Sequence, residues 1–249
     1  MPNVPSSQEK SLVGQVAVVT GAAKRIGQAI ALHLAQQGAD VVVHYHTSKK
    51  EAAGTVEEIK KLGRRAVAIQ ADLRSVTEIR HLVQEVSSHF GQLNILVNSA
   101  ANFLPANLEA TTDALWDASL DTNLKAPFFC AQAAAPLLKQ THGTIINLAD
   151  VGGILAWPAY IPHCVSKAGV IMLTKCLAKA LAPDVRVNAI APGTITMEGD
   201  PSDWEKDYIR RAPLHRTGTT QDVAEAVSFL IHSTFITGQT LILDGGRTI

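Results

Sequence analysis

The chain is poor in several things, and each shortage excludes something. It has three cysteines, Cys130, Cys164 and Cys176, far too few for a disulfide framework. All three fall in apolar helical patterns, which predicts reduced core thiols in a cytoplasmic protein. Lysine plus arginine equals aspartate plus glutamate at 22 each, so net charge is zero. That balance argues against a nucleic-acid partner and against an anionic membrane surface. No apolar run approaches the roughly 20 residues of a membrane span. The first residues, 1–11, lack the basic-then-apolar order of a signal peptide and read as a flexible tail. Histidines are scattered without ligand spacing, so no metal site is expected. Aromatic residues make up only 5% of the chain.

What is abundant is apolar residue, 47% of 249, enough for one large core over residues 12–249. β-branched runs alternate with helical patterns to the end. Strands are predicted near 16–20, 41–46, 66–70, 94–98, 144–149, 185–191 and 240–243. Helices are predicted near 25–37, 49–62, 76–90, 112–139, 163–181 and 221–231. The strands are continuous apolar runs, as in parallel strands covered on both faces. The expected fold is a single-domain, doubly wound α/β sheet of about seven parallel strands with helices on both faces. Residues 193–219 interrupt the pattern with Gly199, Pro201, Pro213 and Gly218. They follow a strand end, where ligands bind in such sheets, and are expected to form a substrate flap with a short helix around Trp204–Arg211.

The most informative stretch is 15–29. Val16 to Val19 reads as a buried strand, Thr20-Gly21 breaks it, and Ile26, Ile30 and Leu34 begin a helix. Strand, glycine turn and helix together aim free backbone N–H groups at a phosphate. A plain βα turn would leave the same glycines. The second strand end about 20 residues later favours a dinucleotide site.

These residues, with others in fixed order, resemble the short-chain dehydrogenase/reductase family from about Val13 onward. The family's Thr-Gly-x-x-x-Gly-x-Gly turn matches Thr20 to Gly27, with Arg25 in place of the middle glycine. Its Asn-Asn-Ala-Gly segment matches Asn98-Ser99-Ala100-Ala101, and its helix asparagine matches Asn123. Its Pro-Gly matches Pro192-Gly193, and its C-terminal signature matches Ile236 to Gln239, then Asp244-Gly245-Gly246. Within the family the chain is similar to the pteridine reductases. They share Thr-Gly-Ala-Ala-Lys-Arg, a His-Tyr-His segment (His44 to His46), and an aspartate thirteen residues before the catalytic tyrosine position, here Asp150. Phe103 matches the phenylalanine that stacks on a pterin there, although a core plug beneath a loop would suit it as well.

One departure matters. The family's Tyr-x-x-x-Lys reads His163-Cys164-Val165-Ser166-Lys167. Tyr160 is three residues early and Pro162 follows, which predicts a position outside the helix. Hydride transfer needs a proton at the neighbouring atom, and imidazolium is an acid matched to cellular pH. Lys167, one helical turn on, disfavours the protonated ring, and Asp150 favours it. Alternatively His163 only fills the space of the lost ring, whether the replacement is natural or engineered. The chain would then be a non-catalytic NADP-binding protein.

The resemblance implies that Gly21, Lys24, Arg25, Ile26, Gly27, His46, Thr47, Ser48, Asp72, Leu73, Asn98, Ala100, Lys167, Pro192, Gly193 and Thr194 bind the cofactor. It makes Asn123, Asp150, His163 and Lys167 catalytic, with Phe103 and Asp150 on the substrate. The end of the second strand carries no acid, while Lys24, Arg25, His46 and Ser48 could meet a 2′-phosphate, so NADPH/NADP+ is expected over NADH. The reaction implied is NADPH-dependent reduction of a small carbonyl or imine, such as a pterin or folate-like ring. A homotetramer is implied by the family alone.

Overall fold

The computed structural model describes residues 11–196 and 203–249. Residues 1–10 of the expected tail and 197–202 of the expected flap lie outside that set. The elements run β1 (Val16–Val19), α1 (Arg25–Gln36), β2 (Asp40–Tyr45), α2 (Lys49–Lys61), β3 (Ala66–Gln70), α3 (Val76–Phe90) and β4 (Ile95–Asn98). Then come α4 (Asp113–Leu120), α5 (Ala126–Gln140), β5 (Thr144–Leu148), α6 (Ile161–Leu181), β6 (Arg186–Pro192), α7 (Asp203–Arg211), α8 (Thr220–His232) and β7 (Thr240–Leu243).

The seven strands form one sheet in the order β3-β2-β1-β4-β5-β6-β7, every neighbour parallel. Strand alternation divides the core between two faces. Ala17 and Val19 pack with Ile30 and Leu34 of α1, Val56 and Ile59 of α2, and Val227 of α8. Val18 and Val42 face the other way, towards Leu82 of α3, Leu138 of α5 and Leu177 of α6. β1 lies between β2 and β4, so the chain leaves it in opposite directions on either side. That switch point opens a crevice at the carboxyl ends of the strands, where ligands bind in open sheets.

Two expectations need correction. The helix predicted over 112–139 is broken by a wide π turn at Asp121–Lys125. Pro127 has no N–H, so the carbonyl of Asn123 has no α-helical partner four residues on. The Asn123 side chain also accepts from the Asn102 N–H (2.9 Å) and donates to the Asn102 carbonyl (3.1 Å). The cysteines are not all in the core: Cys130 is buried, Cys164 is half-buried and Cys176 is exposed. α6 is apolar around much of its surface, with Val165 and Met172 also exposed, so apolar pattern alone did not mark its inner face. Burial pushes the Cys130 thiol up to about 12. No helix among the described residues is long and apolar enough to cross a membrane.

Candidate active site

A cavity of about 730 Å³ lies at the switch point. It runs from the β1–α1 turn past the ends of β4 and β5 to α6 and α7.

At one end the glycine turn is tied on three sides. Gly21 has φ +67°, and a Cβ there would come 2.9 Å from the Ala100 Cα. A Cβ on Gly27 would run into the Gly21 carbonyl. Thr20 Oγ1 accepts from the N–H groups of Ser99 (2.9 Å) and Ala100 (3.0 Å), which joins this turn to the loop after β4. The Gly21 N–H, expected to be free for phosphate, donates instead to His44 Nδ1 at 3.1 Å. The open donors are those at the start of α1, where Lys24 is the N-cap and makes no side-chain cap. Arg25, in the place of the family's middle glycine, has φ +56°.

His46, Thr47 and Ser48 line the cavity beyond β2, and Asp72, Leu73 and Arg74 line it beyond β3. Asp72 is held by Arg74 at 2.6 Å, and this bond drops its carboxyl to about 2. His46 Nε2 is 3.9 Å from the same carboxylate. With Asp72 neutralised by its neighbour, this end offers cations and hydroxyls to an anion. The narrow glycine cradle and the open helix start fit a nicotinamide dinucleotide.

At the other end, the Lys167 ammonium is buried and donates to the Leu148 carbonyl at 2.7 Å. Burial pulls its pKa down to about 8, against the opposing pull of Asp150. Asp150 divides its carboxylate. Oδ1 accepts from the Gly152 N–H at 2.6 Å and starts a 3₁₀ turn, while Oδ2 stands 3.9 Å from His163 Nε2. His163 is 3% exposed, and neither ring nitrogen has a hydrogen-bond partner. Its ring meets Phe103 edge-on at 4.7 Å and lies parallel to Trp157 at 6.3 Å. Its carbonyl accepts from Ser166 Oγ (2.7 Å), which accepts from Asn123 Nδ2 (3.2 Å). Asn123 is therefore buried one hydroxyl away from His163. Tyr160 caps α6 from outside and stacks on Phe103 at 4.3 Å, as Pro162 predicted.

Asn102, Trp157 and Arg74, which no motif marks, also line the cavity, together with Trp204 of the expected flap helix. Asn102 Oδ1 is buried without a partner. The chain has three tryptophans, and two of them stand here. That scarcity was the available signal for Trp157 and Trp204. Gly193 and Thr194 lie in the lining beside them, and Tyr208 of α7 anchors to the Asp244 carbonyl at 2.5 Å. Asn98 is not in the lining. It donates to Asn147 Oδ1 at 2.8 Å and joins β4 to β5 below the cavity floor.

Residues 21–248 match the family model described as enoyl-(acyl carrier protein) reductase. The chain belongs to the short-chain dehydrogenase/reductase family. A 3-oxoacyl-[acyl-carrier-protein] reductase, FabG, of Staphylococcus aureus is 41% identical over 237 residues, 92% of this chain and 96% of the relative. A dehydrogenase/reductase from Sinorhizobium meliloti superposes with a TM-score of 0.92 at 36% identity, covering 97% of this chain and 98% of the other. A blue fluorescent protein from a metagenomic library, solved in complex with NADPH, gives 0.90 at 32% identity, covering 96% and 100%. As a short-chain dehydrogenase/reductase the chain is an oxidoreductase with a site for a nicotinamide cofactor.

Proposed function

We propose that this short-chain dehydrogenase/reductase is an NADPH-dependent reductase in which His163 replaces tyrosine as the proton donor to a small carbonyl or imine. One observation carries the reading: a buried imidazole with two unpaired nitrogens shares a cavity wall with Lys167 and Asp150. When bound, the nicotinamide supplies the hydride. The chain must supply the proton, hold the ribose side with Lys167, and orient the substrate. His163 as imidazolium gives a proton to the substrate atom next to the reacting carbon, and Asp150 offsets the charge it carried. Asn123, Ser166 and Lys167 form the buried polar floor through which the proton is replaced. Lys24, Arg25, His46, Thr47 and Ser48 hold the 2′-phosphate, and Asp72 and Leu73 border the adenine.

Two substrate classes compete. The name of the Staphylococcus relative points to a flexible 3-oxoacyl thioester. The aromatic walls Phe103, Trp157 and Trp204 favour a flat ring, and Asp150 and Asn102 favour one that donates hydrogen bonds, as a pterin or folate-like ring does. We favour the flat ring. The non-catalytic reading keeps one specific support: the phenol is missing and Tyr160 is turned onto Phe103. A cytoplasmic homotetramer is part of the proposal. Exposed Phe128 on α5 and Val165 and Met172 on α6 suit contact between copies.

The test is a pH–rate profile on a panel of dihydropterins, quinones, activated ketones and a 3-oxoacyl thioester. The reductive rate of the unmodified chain should fall as pH rises, because only the imidazolium form of His163 has a proton to give. His163→Tyr should carry that falling limb to higher pH. If the unmodified chain binds NADPH yet turns over nothing, and only His163→Tyr is active, the non-catalytic reading replaces this one.

A further inference from the structure

His44 lies in the middle of the cofactor end and has no role in the proton chemistry. It sits on β2, the strand between β1 and β3, and is 2% exposed. Its two ring nitrogens reach opposite neighbours. Nδ1 is 3.1 Å from the Gly21 nitrogen, and Nε2 is 3.0 Å from the Ala71 carbonyl oxygen. A backbone amide can only donate, so Nδ1 must accept. The ring proton is therefore on Nε2, where it donates to Ala71. The two contacts fix one neutral tautomer. Burial agrees, lowering the pKa to about 4.

We infer that His44 is a positioning residue for the cofactor, a side-chain strut that sets the spacing between the glycine turn after β1 and the loop after β3. The backbone already makes one tie on each side: the Ala22 N–H donates to the His44 carbonyl (3.0 Å) and the Ala71 N–H to the Tyr45 carbonyl (3.0 Å). The imidazole adds a second tie on each side, at the groups that the strand ladder leaves over. Gly21 needs this most. It has no side chain, its φ is positive, and its N–H has the His44 ring as its partner. The Ala71 carbonyl directly precedes Asp72 and Leu73, which line the far end of the cavity. Through one ring, the segment that meets the phosphates and the segment that borders the adenine keep one separation. The inference rests on a dinucleotide occupying this cradle, not on His163 or on the preference for NADPH.

Two variants divide the strut. In His44→Asn the side-chain oxygen takes the place of Nδ1 and keeps the Gly21 tie while losing Ala71. In His44→Gln the side-chain nitrogen takes the place of Nε2 and keeps Ala71 while leaving the Gly21 N–H unpaired. His44→Leu loses both. Dissociation constants for NADPH and NADH are measured by fluorescence titration well below each melting temperature. Backbone amide exchange is followed over the glycine turn, and 15N NMR reports the His44 tautomer in the unmodified chain.

The expected result is a proton on Nε2 and none on Nδ1. His44→Leu should weaken NADPH and NADH alike by roughly tenfold, the sum of two ordinary hydrogen bonds. Each half-variant should lie between, and turn amides should exchange faster in His44→Gln than in His44→Asn. If affinities for both cofactors are unchanged while the melting temperature falls, His44 only supports the fold and the inference is wrong. A proton on Nδ1 overturns it as well. Should His44→Leu fail to fold, the ranking of the Asn and Gln variants decides. Failure of the unmodified chain to bind either cofactor would overturn the cofactor reading itself, and this inference with it.

Discussion

The two ends of the cavity differ in how their polar groups are used. At the β1–β3 end the Gly21 N–H, both nitrogens of His44, the Thr20 hydroxyl and the Asp72 carboxylate all have partners within the chain. At the β4–β6 end Asn102 Oδ1, both nitrogens of His163 and Thr194 Oγ1 are buried without any. An unpaired buried polar group costs about 1–3 kcal/mol, so the second end carries a penalty that a bound ligand can remove. The first end is a finished cradle of backbone and short ties. The second is a set of buried donors and acceptors without partners in the chain. The departure from the family's tyrosine lies at this second end, which is where a change alters chemistry without altering the cradle.

If the two ends are separable, a change at one should spare the other. The largest effect is expected for His163→Phe, which keeps an aromatic ring and removes the proton. Its kcat should fall by about 10²–10⁴, the usual value of a positioned acid. NADPH affinity, measured by fluorescence titration, should hold within about twofold, since the ring stays and the two nitrogens that are lost have no hydrogen-bond partner in the chain. Parallel loss of rate and affinity would show that His163 also shapes the cradle.

A smaller effect belongs to the other end. NADPH should bind at least roughly tenfold more tightly than NADH, because a charge-assisted contact contributes ~1.5–3 kcal/mol. Lys24, Arg25 and Ser48 are the residues proposed to supply it, and added salt should then narrow the gap. Equal affinities at low salt would remove the assignment of a 2′-phosphate site to these residues.

The same contrast explains what could be read from the sequence. The strand positions were legible because continuous β-branched runs need only local pattern, and every predicted strand is present within two residues at either end. The glycine turn was legible because Gly21 and Gly27 answer steric demands that only glycine meets. His44 was noticed as part of a His-Tyr-His segment, but its strut was hidden, since it depends on Ala71 lying 27 residues away. The break at Asn123 was half legible: Pro127, four residues on, lacks the N–H that the Asn123 carbonyl needs, whereas Asn102 reaches the side chain from another loop. Asp150 was half legible. The turn formed by its Oδ1 is local, whereas its approach to His163 needs α6 in place. Trp157 and Trp204 come from segments about 47 positions apart and meet edge to face at 6.4 Å.

The smallest effect concerns Arg25, where backbone preference and the proposed phosphate contact pull against each other. It stands where the family has glycine, and its φ of +56° shows why glycine is used there. A left-handed conformation costs a non-glycine residue about 1–2 kcal/mol. Arg25→Gly removes that cost but loosens the unfolded chain by about 0.4–1 kcal/mol. The net is a gain of about 0.5 kcal/mol, seen as a melting temperature higher by about 1–2 °C for a chain of this size. The guanidinium is lost at the same time, so the ratio of NADPH to NADH affinity should shrink. Stability and selectivity should thus move in opposite directions in a single variant, measured by thermal melts of the cofactor-free protein and by paired titrations. A lower melting temperature would mean that the Arg25 side chain already stabilises the empty cradle. An unchanged cofactor ratio would mean that Lys24 and the residues after β2 hold the phosphate without it.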